Sequence, residues 1–432
     1  MSGRGSAPAG LSYEQALAYV TGLGRFGVKL GLERIRAILA ELGDPHRGHR
    51  GALIAGTNGK GSTAAFLEAI LRERGLRVGT TPSPHLRSYT ERVRLGGQPI
   101  SAAEFAAAVD RLRPRLGPVI TAMGEPTEFE LLVALALDWL GPRADRLVIE
   151  VGMGGRLDAT NVLDLGLAVI TNVSLDHRHH LGDTVEQIAA EKAGIIKPGN
   201  VVITGASGGA LEVVERFAAR AGAAELWRLG REIEMEARCL GWRGSELDLC
   251  GPGFSYQGLQ VRMLGDFQAE NAALAVAAAH AMGDATAEAV GAGLASATWP
   301  GRLQRAGERL LMDGAHNPAG MRRLVTSVRA LLGEERPAVV FGVMADKDVG
   351  DILRELGGLK PRLVVFTRAA SAGDRALEPA ALQAAWQALG APAPAQEEDE
   401  AAAALAAARE AVGEEGWVLV CGSLYLVGEL SP

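Results

Sequence analysis

The stretch GALIAGTNGKGSTAAFLEAILRERG, residues 51–75, constrains this chain more than any other. GALIAG reads as a short buried strand, STAAFLEAILRERG as a helix closed by Gly75, and between them Gly56, Gly59 and Gly61 surround Lys60. Glycines let a backbone curl until successive N–H groups point at one anion, and the N-terminus of the following helix adds partial positive charge. Lys60 supplies a full charge, and the Ser62 hydroxyl can hold Mg²⁺. The residues assigned to phosphate are therefore Gly56, Thr57, Asn58, Gly59, Lys60, Gly61 and Ser62. The strict P-loop runs Gly, four residues, then Gly-Lys-Ser/Thr. Here its first glycine would fall at Ile54, and Gly61 separates Lys60 from Ser62. A solvated lysine on a glycine-rich turn is the bland alternative, disfavoured because the loop joins a strand to a helix.

The remainder alternates in the same way. SYEQALAYVTGLGRFGVKLGLERIRAILAELG is a helical lead-in with Ser12 as N-cap, and RVGTTPS a strand. AAEFAAAVDRLRPRL and EFELLVALALDWLG read as helices, DRLVIEV and GLAVITNVS as strands, and TVEQIAAEKAGIIK as a helix with a Thr184/Gln187 capping box. Residues 200–262 read as edge strands without chemistry, and QAENAALAVAAAHAMG as a helix. Past Pro300 and Gly301 a fresh strand–helix series begins: RLLMDGA, AGMRRLVTSVRALLG, PAVVFGVM, PRLVVFT and WVLVCGS. EDEAAAALAAAREAV is expected to be an exposed helix. Such alternation implies parallel sheets. The fold class expected is α/β, a mostly parallel phosphate-loop domain over 1–298 with a second, smaller Rossmann-like α/β domain over 299–432. A length of 432 residues, beyond the usual single core, agrees.

Composition removes several classes. Hydrophobic residues at 48% and charged residues at 22% fit a globular chain and leave no room for a largely disordered one. A net charge of -7 without a basic stripe argues against nucleic acid. Cys239, Cys250 and Cys421 show no disulfide or zinc spacing. MSGRGSAPAG has no apolar signal core, and LLVALALDWL, broken by Asp138, is too short to span a bilayer. A cytoplasmic chain without a membrane partner is expected, and a monomer.

Eight blocks carry a family resemblance: GTNGKGS aside, FGVKLGLERI, SPHL followed by ERV, FE at 129–130, EVGMGGRLDATNV, DHRHHLGDTVEQIAAEKAGIIK, WPGRL, DGAHNP and GSLYLVGE. In this order they resemble the Mur-ligase superfamily, and within it the folylpolyglutamate synthase and dihydrofolate synthase branch, over almost the whole chain. The resemblance implies ATP, two Mg²⁺ ions and K⁺ as a candidate assisting cation. It also implies small-molecule substrates: L-glutamate and either dihydropteroate or a reduced folate.

Glu150 ends the strand DRLVIE, where open parallel sheets place ligand-binding residues, and His177 follows the next strand. Alone, Glu150 could be a strand-end surface acid and His177 a satisfied structural histidine. Lys192 would ordinarily pair with Glu191 or Asp176, and an ammonium offers no lone pair to a metal. The resemblance implies that Lys192 is carbamylated. It places Ser62 and Glu150 on one Mg²⁺ and Glu150, His177 and Lys192 on another, with Ser83 beside them. It implies that Ser83, Pro84 and His85 border the substrate and ATP sites, that Phe129 and Glu130 help form a pterin pocket, that Asn271 contacts adenine, and that Arg302 reaches phosphates. Asp313, His316 and Ser423 become second-domain residues facing ATP and the amino acid. Arg87, Arg92 and Arg94 form a cluster suited to carboxylates, with a solvated basic loop as the alternative. Lys60, Lys192, Asp313 and His316 are the expected catalytic residues.

The activity implied is acyl phosphate formation from ATP followed by attack of the glutamate amine. A murein-type ligase is disfavoured because the loop begins at residue 56, leaving little chain ahead for a nucleotide-sugar domain. A nucleotide-hydrolysing switch, or a nucleotide-sensing scaffold that binds ATP without turnover, gives no role to DGAHNP.

Overall fold

The apolar run ahead of the glycine loop is β1, Gly51–Ala55, and all of it is buried because it lies between two parallel neighbours. The computed structural model describes residues 10–26 and 31–431. MSGRGSAPA and the GVKL of FGVKLGLERI lie outside the described residues. The other strands of this sheet are β2 (Val78–Thr81), β3 (Arg94–Leu95), β4 (Gln98–Pro99), β5 (Arg146–Glu150), β6 (Gly166–Ile170), β7 (Val201–Thr204) and β8 (Glu225–Arg228), in the order β4-β3-β2-β5-β1-β6-β7-β8. Pairing is parallel from β2 to β8, and β3 and β4 add an antiparallel edge. Ile54 stands level with Glu150 and Val169, so the ends of β5 and β6 flank the loop that leaves β1.

A three-stranded antiparallel sheet follows, made of β9 (Glu234–Cys239), β10 (Ser245–Gly251) and β11 (Phe254–Val261). The last sheet holds β12 (Gln304–Arg305), β13 (Leu310–Asp313), β14 (Ala338–Phe341), β15 (Leu363–Phe366), β16 (Ala395–Glu397) and β17 (Val418–Cys421), in the order β12-β13-β17-β14-β15-β16. Only β12 runs antiparallel there. The mixed α/β class with parallel-dominated sheets is as expected.

The helix Phe267–Ala281 is buried on nearly every side, which explains its run of alanines: small side chains let it approach the helix Lys60–Glu73 closely. Local hydrogen bonding matches the sequence at both expected caps. Ser12 accepts from the Gln15 N–H, and Thr184 from that of Gln187.

The lead-in is helical as expected, in two helices, Tyr13–Gly22 and Glu33–Glu41. Three expectations need correction. AAEFAAAVDRLRPRL stays α-helical only to Leu112 and tightens to a 3₁₀ turn over Arg113–Leu116, which contains Pro114. Residues 200–262 are more than edge strands: β7 is a buried parallel strand of the main sheet. The alanine-rich helix Ala401–Val412 is not simply exposed, since Ala401, Ala404 and Ala408 are buried against β14 and β15.

Candidate active site

The loop leaving β1 is shaped by what crowds it. A Cβ on Gly56 would stand 1.8 Å from Thr171 Oγ1, and one on Gly59, at φ +85, would stand 2.2 Å from Asn271 Oδ1. No larger residue fits either place. The residues after β6 pin the loop: the Thr57 N–H donates to Asn172 O at 2.9 Å, the Asn58 N–H to Asn172 Oδ1 at 3.0 Å, and Thr171 Oγ1 to Asn58 O at 2.6 Å. The helix begins at Lys60, two residues before the expected start. Lys60 Nζ folds back to donate to Gly56 O at 3.2 Å and Thr57 O at 3.4 Å. Burial lowers its pKa, against the pull of Glu150 and Asp176.

Glu150 is 5% exposed, and its Oε2 accepts from the Ser83 N–H at 3.1 Å. Burial raises its pKa, opposed by the charge of Lys60, the Ser83 N–H bond and the charges of Arg302 and Arg92. Ser62 is buried at the adjoining helix start. Lys192 Nζ donates to Gly56 O at 2.9 Å. Glu191 pairs instead with Arg156, so the ordinary helix ion pair is not formed. Burial, and then the charge of Lys60, push the Lys192 pKa down to about 7. His177 sits at φ +50 with its pKa lowered to about 4 by burial. Among the described residues no three His, Cys, Asp or Glu side chains are grouped to hold a metal. Ser62 and Glu150 nevertheless suit Mg²⁺, as a hard oxygen pair beside a phosphate loop.

The second sheet supplies the opposite wall. Asp313, at the end of β13, accepts from the Leu303 and Ala315 N–H groups at 2.7 Å each. Burial raises its pKa, opposed by Arg302. Asn317 and Asn58 exchange amide hydrogen bonds at 3.0 and 3.1 Å, joining the phosphate loop to the turn after β13. Asp176 accepts from Lys347 Nζ at 2.8 Å and Asn317 Nδ2 at 3.0 Å, with His316 Nε2 at 3.6 Å. Burial alone would raise its pKa, but the bond and charge of His316, with His177 and Lys347, hold it well below the carboxylate range. Lys347 Nζ also lies 3.2 Å from His177 Nε2. Lys347→Ala is expected to lower unfolding stability by about 2 kcal/mol, the scale of a hydrogen bond to a charged group. An unchanged urea midpoint would show that this contact does not hold the two walls together.

Ser83, Glu150, His177, Lys192, Asn271, Arg302, Asp313 and His316 all line one cavity of about 570 Å³ with the loop 56–62. Pro84 also lines it. The rest of the expected set stands apart. Arg92 donates to His85 Nδ1 at 3.0 Å and Ser83 Oγ at 2.9 Å, so it braces the loop from within. The neighbouring Arg92 and burial hold the His85 pKa down to about 4, burial being the larger cause. Phe129 packs against Gly152. Glu130 is held by Arg34, at 3.0 and 3.1 Å, and by the cap of its own helix at Thr127. Ser423 caps the helix Leu424–Leu430. Arg87 and Arg94 line a different chamber.

The Mur ligase middle domain matches residues 54–279, and the Mur ligase glutamate ligase domain matches 301–424. The dihydrofolate synthase/folylpolyglutamate synthase of Bacillus subtilis is 36% identical over 80% of this chain and 83% of its own. The chain belongs to the folylpolyglutamate synthase/dihydrofolate synthase family of Mur ligases. Its fold superposes on Mycobacterium tuberculosis folylpolyglutamate synthase complexed with ADP and AMPPCP at a TM-score of 0.91, with 33% identity, 97% of this chain and 98% of that one. The chain spans 50% of a probable bifunctional folylpolyglutamate synthase/dihydropteroate synthase of Haloferax volcanii, 37% identical over 97% of this chain.

Family members are ATP-dependent ligases, and so is this chain. Sequence reasoning gave no role to Lys347 and Asn317 and considered Asp176 only as a partner for Lys192. DKD at 346–348 follows the strand PAVVF, so the strand-end rule that found Glu150 would have found Lys347. Asn317 stood in DGAHNP, unremarked beside His316.

Proposed function

We propose that this chain uses ATP to join L-glutamate to the carboxyl of a pteroate or folate through an acyl phosphate. A carboxylate repels nucleophiles and has a poor leaving group. Phosphorylation removes both obstacles. The substrate carboxylate attacks the γ-phosphorus and ADP leaves. The glutamate amine then adds to the acyl carbon, loses a proton, and phosphate departs with the C–O electron pair. The observation that carries this proposal is the single cavity in which the Lys60 loop faces Arg302, Asp313 and His316 from the other sheet. Such a cavity lets one lobe hold the triphosphate while the other closes over a hydrolysable intermediate.

Residues 1–298 would bind ATP, and 299–432 would complete the glutamate-ligase side. Ser62 and Glu150 would hold one Mg²⁺, and Glu150, His177 and a carbamate on Lys192 a second, with Ser83 beside them. Bound there, Mg²⁺ would neutralise phosphoryl oxygens. Carbamate formation requires an unprotonated amine, and the depressed Lys192 pKa provides one near neutrality. K⁺ is the assisting monovalent ion we favour. Among the described residues no helix is long and apolar enough to cross a membrane. We take the working form as a cytoplasmic monomer.

The test measures ADP release with glutamate alone, with added dihydropteroate, and with added reduced folate. ADP should appear only when an acceptor is present. Equal release without acceptor would favour a nucleotide-hydrolysing switch and reject the ligase.

A further inference from the structure

The two lobes also meet at the end of the second sheet that lies away from the cleft. Leu310 pairs with Val418 and Asp313 with Cys421, so β13 and β17 start together and finish together. Asp313 marks the finishing end at the cavity, while Arg309 and Trp417 stand just before the starting end, roughly 13 Å back along the strands. There Trp242, on the turn between β9 and β10, stacks on Trp417 with ring centres 4.6 Å apart and planes 16° apart. The Arg305 guanidinium lies 5.7 Å from both rings and that of Arg309 5.4 Å from Trp417, within cation–π reach. Among the described residues this is the only stack of two rings between the lobes.

Each indole is fixed to its own lobe. Leu247, Leu249 and Val261 of the three-stranded sheet share a core with Ile54 and Phe66, so the turn bearing Trp242 moves with the phosphate-loop lobe. Trp417 is buried in the core of the second lobe. The connection between the lobes runs past the same two ends of the sheet. The Leu303 N–H meets Asp313 at the finishing end, whereas Arg305 pairs with Leu311 and reaches the indoles at the starting end. A rigid lobe held at two points keeps one rotation, about the line that joins them. Here that line runs along β12. The bonds across the cleft, Asn317 to Asn58 and Lys347 to Asp176, lie off it, on the turns after β13 and β14. Turning about β12 therefore opens or closes the cleft while the indoles stay in contact.

We propose that Trp242 is a positioning residue for the ligase reaction: its stack on Trp417 is a fixed pivot that confines the second lobe to the rotation closing the cleft. The proposal rests on the ligase function above. Without the stack the second lobe swings on the connection alone, and the cleft no longer closes squarely over the acyl phosphate. Water then attacks the acyl phosphate in place of the glutamate amine, returning the free carboxylate and inorganic phosphate. ATP is consumed and no amide forms.

The test measures glutamate ligated per ADP released, with whichever acceptor supports turnover. The unaltered chain and Trp242→Phe, which keeps a ring on Trp417, should ligate a glutamate for every ADP, whereas Trp242→Ala should fall below that ratio by at least about twofold. A Trp242→Ala chain that slows but keeps the ratio would overturn the proposal, because a merely structural role lowers both products alike. Trp242 is 38% exposed, so its truncation opens little buried space. Circular dichroism gives a second reading that needs no turnover. The exciton couplet of the paired indoles, taken as the unaltered chain minus Trp242→Phe, should keep its amplitude when ADP is added. A couplet that is absent, or that vanishes with ADP, would overturn the pivot, and this reading decides the matter if Trp242→Ala fails to fold. Equal ADP release with and without acceptor in the unaltered chain would instead defeat the ligase function itself.

Discussion

Lys60→Ala is expected to abolish ADP release in the presence of acceptor and glutamate, lowering kcat by at least about a hundredfold. Its ammonium now donates to the carbonyls of Gly56 and Thr57, inside the curl of the loop. A nucleotide threading that curl would offer phosphate oxygens as better acceptors than neutral carbonyls, because a charge-assisted bond is about twice as strong. In phosphoryl transfer, charge accumulates on the leaving and equatorial oxygens, where a fixed cation acts most in the transition state. The loss should therefore fall on kcat more than on ATP affinity, because the backbone N–H groups of the loop remain. Turnover at the normal rate by the alanine variant would remove Lys60 from the mechanism.

Lys192→Ala should lose activity to a comparable degree, at least about a hundredfold, and for a different reason. The side chain is 4% exposed and its amine meets Gly56 O, not an acid. Burial, with the charge of Lys60, lowers its pKa to about 7, so the fraction of neutral amine grows as pH rises through that value. A carbamate replaces the amine with a carboxylate. Short carboxylic acids should then restore part of the activity of Lys192→Ala by entering the space left behind. The unaltered enzyme should weaken when bicarbonate is stripped from the buffer, more so below pH 7 than above it. Full activity without bicarbonate would exclude the carbamate and leave Lys192 as a neutral hydrogen-bond donor to the loop.

The legible parts of the site were those set by neighbours along the chain. The glycine loop, the strand-end Glu150 and the Asp313 turn each sit at or just past the end of an apolar strand, and all line the same cavity. Less legible were roles depending on which way a side chain turns. Glu130 stands one residue from Phe129, yet its carboxylate turns to Arg34, 96 residues away. Arg92 and Arg87 share a loop, but one is half-buried bracing His85 and the other is exposed at a chamber rim. The alanine-rich helix was misjudged because alanine is a good helix former both in water and against a sheet. Composition there does not choose between the two.

What the sequence determined alone is the alternation of strands and helices outside residues 200–262, the caps and the glycine turn, because these depend on hydrogen bonds and sterics spanning a few residues. Tertiary structure alone decided that Asp176 would meet Lys347, 171 residues on, and that Asn58 would meet Asn317, 259 residues on. Pairs so far apart leave no periodic trace in a single chain. They form only after two sheets have buried their apolar faces and brought their strand ends to a common cleft.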